Sequence, residues 1–508
     1  MAPVRFALAL VALLLAGCAA PAATPEKTAS VASGSAPSTL GVVHALGNAT
    51  LPPDAAAKAI PARGLQLSTG VGGGEPTMGV DSKGRLFAEA FKDGEPTIML
   101  SQDHGFTWKD VGPTLPTGQH LPPQTFDPYM YLDPTTGRVY KNENDLQCAV
   151  LSWSDDAGAS WTTSPVGCGV GAGVPIADHQ SMVAAKPRML PVSPLYPNVV
   201  YSCTNTGATT ECATSLNGGY TFGPVVTVFP QTTDPNDCAG DTLGHPVTDK
   251  DGRVFVAHGG CNRWPTIGVT EDDGLTWTSH VITKDSAVID SPVVHDVNLA
   301  VDDNGTVYAG WISDKGLPTY SWSADHGVKW SPATVVSPPD VTAAAFPALA
   351  AGADGRLVFA YIATTIPGGY EGKETGPAGT VTDIASPSQD PPEWANASWN
   401  AYLTVLPSAK DASPVATTVI ANDPKDPLAR GVCGKTRCGG MDDFIDAVID
   451  PEGRPYAVFV DACNEKCSTD PTVHKMGNVL TVGTLAEGPA LRGELKALLP
   501  LAKPSTPS

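Results

Sequence analysis

Histidines and carboxylates gather at one kind of place in this 508-residue chain: beside short apolar runs that alternate like β-strands. Glu75 and Glu89 flank the first pair of runs, and Asp127 precedes the second. Asp178, His179 and Gln180 stand together before the third. His245 and His258 bracket the fourth, and His295 and Asp296 precede the fifth, which Asp314 follows. Asp443, Asp446 and Asp461 belong to the last. Neighbouring carboxylates push their pKa values apart, so that one serves as acid and another as base. The candidate catalytic groups are therefore Asp127, Asp178, His179, His245, His295, Asp296, Asp443, Asp446 and Asp461. His with Asp also suits a divalent cation. No CxxC or HExxH spacing supports zinc, so no cofactor is required and a divalent cation is the alternative.

A long insertion, about residues 363–398, carries Tyr370, Glu371, Glu374, Asp383, Asp390 and Trp394. Long loops of this kind are lids, binding loops or disordered insertions. Aromatic faces stack on sugar rings while acids bond the hydroxyls. Tyr370 and Trp394 are thus candidate substrate contacts, with Glu75 and with Arg263 and Arg430, which lie near cysteines; Arg437 has a similar setting.

What could bring such scattered groups together? A phrase recurs five times: Ser101 to Trp108, Ser154 to Trp161, Ser215 to Phe222, Thr270 to Trp277 and Ser323 to Trp330. A period near fifty means stacked supersecondary units. In each copy a Ser or Thr and an Asp or Asn can accept backbone N–H bonds inside a turn. A Gly supplies a left-handed position, and an aromatic residue closes the phrase. A second turn, Asp-x-x-Gly, precedes a strand at Asp81, Asp249, Asp302 and Asp450, with variants at Asp133 and Asp354. Together these mark seven units, with inner strands starting near residues 76, 128, 180, 246, 297, 347 and 445. The expected fold is all-β: a seven-bladed β-propeller, with six blades the alternative. The seventh unit is short of an outer strand, which a segment around Leu65 to Gly70 is expected to supply, closing the ring.

Let the strands of a blade be A to D from the axis outward. The Asp-x-x-Gly turns join A to B and the recurrent phrases join C to D, so both lie on one face. The candidate groups lie on the other, at the mouth of the axis. The cysteines favour the same division. Ten follow Cys18, an even number for an exported chain. Antiparallel geometry suggests Cys203 with Cys212, Cys148 with Cys168, Cys238 with Cys261, Cys438 with Cys463, and Cys433 with Cys467.

The repeated phrase resembles the Asp box (BNR repeat) of sialidases and related β-propellers, over roughly residues 70–485. The resemblance implies a site on the face opposite the boxes and an exo-glycosidase acting on a glycan or glycoprotein. Sialidases use three arginines, a Tyr–Glu pair and an Asp. Here Arg85, Arg138, Arg253, Arg356 and Arg454 follow A–B turns, on the wrong face, and the Arg-Ile-Pro signature is absent. Tyr129, Tyr361 and Tyr370 are the phenols that could serve. The alternatives are a non-catalytic glycan- or protein-binding propeller and, more weakly, a metal-dependent lyase or hydrolase using the His/Asp mouth.

The remaining features bound these readings. The net charge is −21, with 52 Gly and 48 Pro, a composition suited to short strands and turns. No basic patch invites nucleic acid. Arg5, an apolar run from Phe6 to Leu15, and Leu15-Ala16-Gly17-Cys18 form an export signal. The last four residues resemble a bacterial lipobox, which implies cleavage before Cys18 and lipidation there. The expected organisation is a signal peptide over 1–17, a lipid-anchored tether over 18–61, a propeller over 62–486 and a tail over 487–508, with a short helix over Pro489 to Leu499. A monomer touching the membrane only through its lipid is expected, on the bacterial outer membrane or cell surface.

Overall fold

In a computed structural model the described residues are 40–47, 49–114, 128–145, 148–168, 178–206, 209–229, 243–289, 296–366, 373–375, 381–383, 397–433, 443–470, 472–473 and 476–498. They form an all-β propeller. Four separate four-stranded antiparallel sheets run through the middle of the chain, beginning with Pro128–Leu132, Asp178–Ala185, Val247–Thr248 and Val297–Val301. A larger sheet begins with Ala343–Ala351. An eight-stranded sheet contains two further units, one begun by Met78–Val80 and one by Asp446–Ile449. These seven inner strands pack in succession around an axis, and the last packs against the first.

Ring closure uses both ends of the chain. The strand Arg63–Gly72 pairs with Val479–Glu487 and so becomes the outer strand of the seventh blade. Leu67 at its centre is fully buried. A single pair, Gly72 with Phe91, joins this blade to the first. The expected closing strand is therefore present and slightly longer than its pattern suggested.

The recurrent phrase folds the same way each time. Ser101 Oγ accepts the Gly105 amide at 2.8 Å, while Asp103 accepts the Thr107 amide at 2.8 Å and its hydroxyl at 2.6 Å. The Thr270–Asp272–Gly274–Thr276 copy repeats these bonds at 3.0, 2.9 and 2.5 Å. At Gly158, with φ of 85°, a Cβ would stand 2.6 Å from Val111 of the neighbouring blade, so glycine is needed for both conformation and space. The A–B turns share a second device: Asp81, Asp249 and Asp302 each accept the amides two and four residues later.

The two turn types meet between blades. Arg138, after the second A–B turn, donates to Asp155 of its own blade at 2.6 Å and to the Gly218 carbonyl of the next at 2.9 Å. Its guanidinium lies 4.3 Å from the Tyr196 ring centroid. The arginines of this face are structural mortar.

Both flanking segments depart from expectation. Val42–Ala45, inside the span expected as a tether, pairs with Val415–Ile420 as an extra outer strand of blade six. His44 is buried there and bonds Thr418 at 2.8 Å. The valine pair gives this stretch strand character amid Ala, Pro and Ser. The tail is also docked, and it is not helical. Leu491 is fully buried; its amide donates to Gly453 and its carbonyl accepts from Ala353, each at 2.8 Å. These bonds to A–B turns replace those a helix would make within itself.

Candidate active site at the propeller mouth

The A strands bring four blades to one point. Tyr129 lies near the start of the blade-two A strand, and His179 near the start of blade three's. His245 precedes the blade-four A strand, and Asp443, Phe444 and Asp446 lead into blade seven. His179 Nε2 lies 3.2 Å from Asp443 Oδ2. His245 Nδ1 lies 3.7 Å from Asp446 Oδ1. Phe444 stands between the pairs, edge-on to His179 at 5.6 Å and to His245 at 5.0 Å between centroids. Tyr129 closes the group, edge-on to His245 at 5.1 Å.

Local geometry fixes these groups. Asp446 Oδ2 accepts the Met78 amide of blade one at 3.0 Å, and Oδ1 accepts the Ala447 amide at 2.8 Å. His179 has a left-handed φ of 51°, uncommon for a non-glycine residue and a mark of imposed geometry. Burial holds the Tyr129 phenol well above its ordinary pKa, and the Asp446 charge adds to this. Tyr129 is therefore a neutral phenol at any physiological pH. Below this group runs an axial cavity of about 350 Å³, reached by Tyr129, His245 and Asp446 at one end and by Arg492 at the other. Arg492 is held by Asp303 at 2.9 Å.

The other expected site residues make different contacts. Asp461 ends its B strand under the influence of Asp426 and Gln66; burial, with the Asp426 charge, raises its carboxyl to about 7. Arg430 is near Asp426 and bonds the Cys467 and Ser468 carbonyls at 3.0 and 3.3 Å and Ser398 Oγ at 3.3 Å. Arg430 is thus a staple of the disulfide loop. Arg263 is exposed in a one-turn 3-10 segment, Cys261–Arg263, and its carbonyl accepts the Val288 amide at 2.7 Å. Asp296 and Glu75 are buried where blades five and one begin. Asp178 starts its strand opposite Asn205. Asp127, His295, Tyr370, Trp394, Cys18, Cys238 and Cys438 lie outside the described residues.

Two further residues prove structural. His258 stacks on Phe229 at 3.8 Å, and burial drives its pKa down to about 3, so it is a neutral core imidazole. Tyr361 is fully buried, stacked on Tyr402 at 5.4 Å and bonded to Thr404 at 3.0 Å. Among the cysteines, Cys203 is joined to Cys212 as expected, and Cys148 faces Cys168 in register. The pairing in blade seven is different: Cys463 is joined to Cys467, and the disulfide of Cys433 goes elsewhere. Four residues apart within one loop, Cys463 and Cys467 meet without help from a neighbouring strand.

Among the described residues no group of three or more His, Cys, Asp or Glu is arranged to hold a metal ion. Sequence reasoning missed Phe444, whose position between two aspartates at the start of a strand was the available signal. It also missed Lys141 and Glu143, which alternate with core residues.

No family model and no curated protein matches the chain. Solved structures are similar to it at low identity. An intramolecular trans-sialidase from Ruminococcus gnavus is 11% identical, with 82% of this chain and 94% of that one covered and a TM-score of 0.38. A polysaccharide lyase, an ulvan lyase, is 10% identical over 81% and 93%, with a TM-score of 0.43. A protein of unknown function from Dyadobacter fermentans is 13% identical over 82% and 95%, with a TM-score of 0.39. The sheets and their ring define the fold, and the mouth holds the candidate chemical groups.

Proposed function

We propose that this propeller is an exported, glycan-active enzyme that cleaves glycosidic bonds at its mouth. The observation that carries the reading is the convergence of Tyr129, His179–Asp443 and His245–Asp446 from four blades around Phe444. A His beside a carboxylate is oriented by it and is placed to take up or deliver a proton. Tyr129 and Phe444 supply apolar edges of the kind that face sugar rings. Two imidazole–carboxylate pairs suit a reaction in which one proton is removed and another delivered.

The Asp-box sialidase form of this reading has less support. Arg85, Arg138, Arg253, Arg356 and Arg454 belong to the turn face, and Arg430 is committed to a loop. Proton transfer by the His pairs, in hydrolysis or elimination, is the form favoured here. The Leu15-Ala16-Gly17-Cys18 sequence supports a lipid anchor at Cys18 and a surface location; fatty-acid labelling lost in Cys18→Ser tests this.

A panel of extracellular glycans incubated with the protein tests the chemistry. Release of reducing ends reports cleavage, and ultraviolet absorbance of an unsaturated sugar distinguishes elimination from hydrolysis. His179→Ala and His245→Ala should each lower the rate by about a hundredfold or more. Glycan binding without cleavage would instead assign a binding module. Equal rates in wild type and both variants would overturn the assignment of the mouth.

A further inference from the structure

Glu89, Lys141 and Glu143 are buried together, with exposures of 1%, 0% and 1%. Glu89 comes from the blade-one strand Leu86–Lys92, and the other two from the blade-two strand Val139–Asp145. Lys141 is ion-paired with Glu143. Neither carboxylate oxygen of Glu89 meets a hydrogen-bond donor among the described residues. Fully ionised, the three carry one net negative charge. A buried carboxylate without donors is strongly disfavoured, and taking up a proton relieves it. Burial accordingly raises the Glu89 carboxyl toward about 7, against the pull of the Lys141 charge.

The other ionisable groups around this strand are few. The A strand of its own blade, Met78–Val80, has none. The C strand brings Glu95, opposite Lys92, which meets Asp110 at 3.0 Å. The blade-two A strand brings the phenols of Tyr129 and Tyr131. The closing strand brings Arg63, paired with Glu487 at 2.8 Å. Asp446 reaches the Met78 amide beside this strand, and Lys141 is the charge whose pull on Glu89 is felt.

This seam is bonded to the mouth. The Glu89 amide donates to the Thr77 carbonyl at 2.9 Å. Thr77 Oγ1 accepts the Met130 amide at 2.8 Å, one residue from Tyr129. The amide of Met78 donates to Asp446, which faces His245. We infer that Glu89 is a positioning residue: its protonation state sets how blade one seats on blade two and, through Thr77 and Met78, how Asp446 and His245 are held. Its importance rests on the mouth being the working site, but its test does not read turnover.

Ring resonances of His245, followed by NMR from about pH 5 to about pH 9, provide that test. In wild type they should show a movement near neutrality that follows the Glu89 proton. Glu89→Gln is neutral throughout and should abolish that movement, while exposed surface histidines are unaffected. Lys141→Met removes the opposing charge and should shift that movement upward by about one pH unit. Superimposable His245 curves in wild type and Glu89→Gln would overturn the inference. If Glu89→Gln fails to fold, an unmoved midpoint in Lys141→Met would do the same.

Discussion

The Asp273 carboxylate, in the hairpin of blade four, accepts the Leu190 backbone amide of blade three at 2.6 Å. It also accepts the Met189 amide at 2.7 Å and the Arg188 amide at 2.9 Å. One side chain thus satisfies three consecutive amides of another blade. Asp273→Ala leaves them without that acceptor and should cost about 3 kcal/mol in denaturant unfolding. Asp273→Asn keeps an acceptor oxygen and should cost less.

His258 predicts a specific acid limb. Its folded pKa lies far below the ordinary imidazole value, so the unfolded chain binds a proton that the folded chain refuses. Stability should therefore fall as pH drops from about 6.5 toward 3, by about 1.4 kcal/mol per pH unit from this group. His258→Phe keeps an aromatic ring on Phe229 and should flatten that limb. An unchanged pH–stability curve would exclude His258 as its source.

Glu89 acts in the opposite sense. Its folded pKa is raised, so its contribution is full below about 4.5 and is lost as pH rises through about 7. Chemical denaturation of Glu89→Gln at a series of pH values should show a smaller alkaline loss than wild type.

The disulfides can be read directly. A non-reducing peptide map should contain Cys203 with Cys212 and Cys463 with Cys467. A peptide joining Cys438 to Cys463 would contradict the loop described here.

Closure of the ring should be sensitive where it is made. Leu67, fully buried in the closing strand, is expected to cost about 2–5 kcal/mol on change to Ala. Leu275, exposed in a hairpin, should stay within about 0.5 kcal/mol on the same change. Equal effects in thermal melts would count against the closing strand.

The repeats made the blade architecture legible because turns are local. Ser101, Asp103 and Gly105 find their partners within a few residues, so sequence spacing alone carries the geometry. The inner strands likewise begin close to where the turns point. Partnerships between distant segments left weaker traces. Nothing in the order of Cys433, Cys438, Cys463 and Cys467 says which loop brings two of them together. His258 and His245 look equivalent at the two ends of a blade-four hairpin, yet Phe229 from another blade claims one of them. Phe444 reads as an ordinary core aromatic until the histidines of blades three and four arrive on either side of it. The docked tail is hidden for a related reason: its carbonyls and amides bond turns of blades six and seven, which no local pattern displays.

Blade seven draws its strands from residues 63–72 and 446–487, so the first-made and last-made parts of the domain must meet before the ring exists. While the chain is still emerging, blade one has no neighbour on that side and the buried face of Leu67 has nothing to cover it. Ring completion is therefore a late event in the life of each molecule. During that interval the nascent chain presents unpaired strand edges that invite association with other chains.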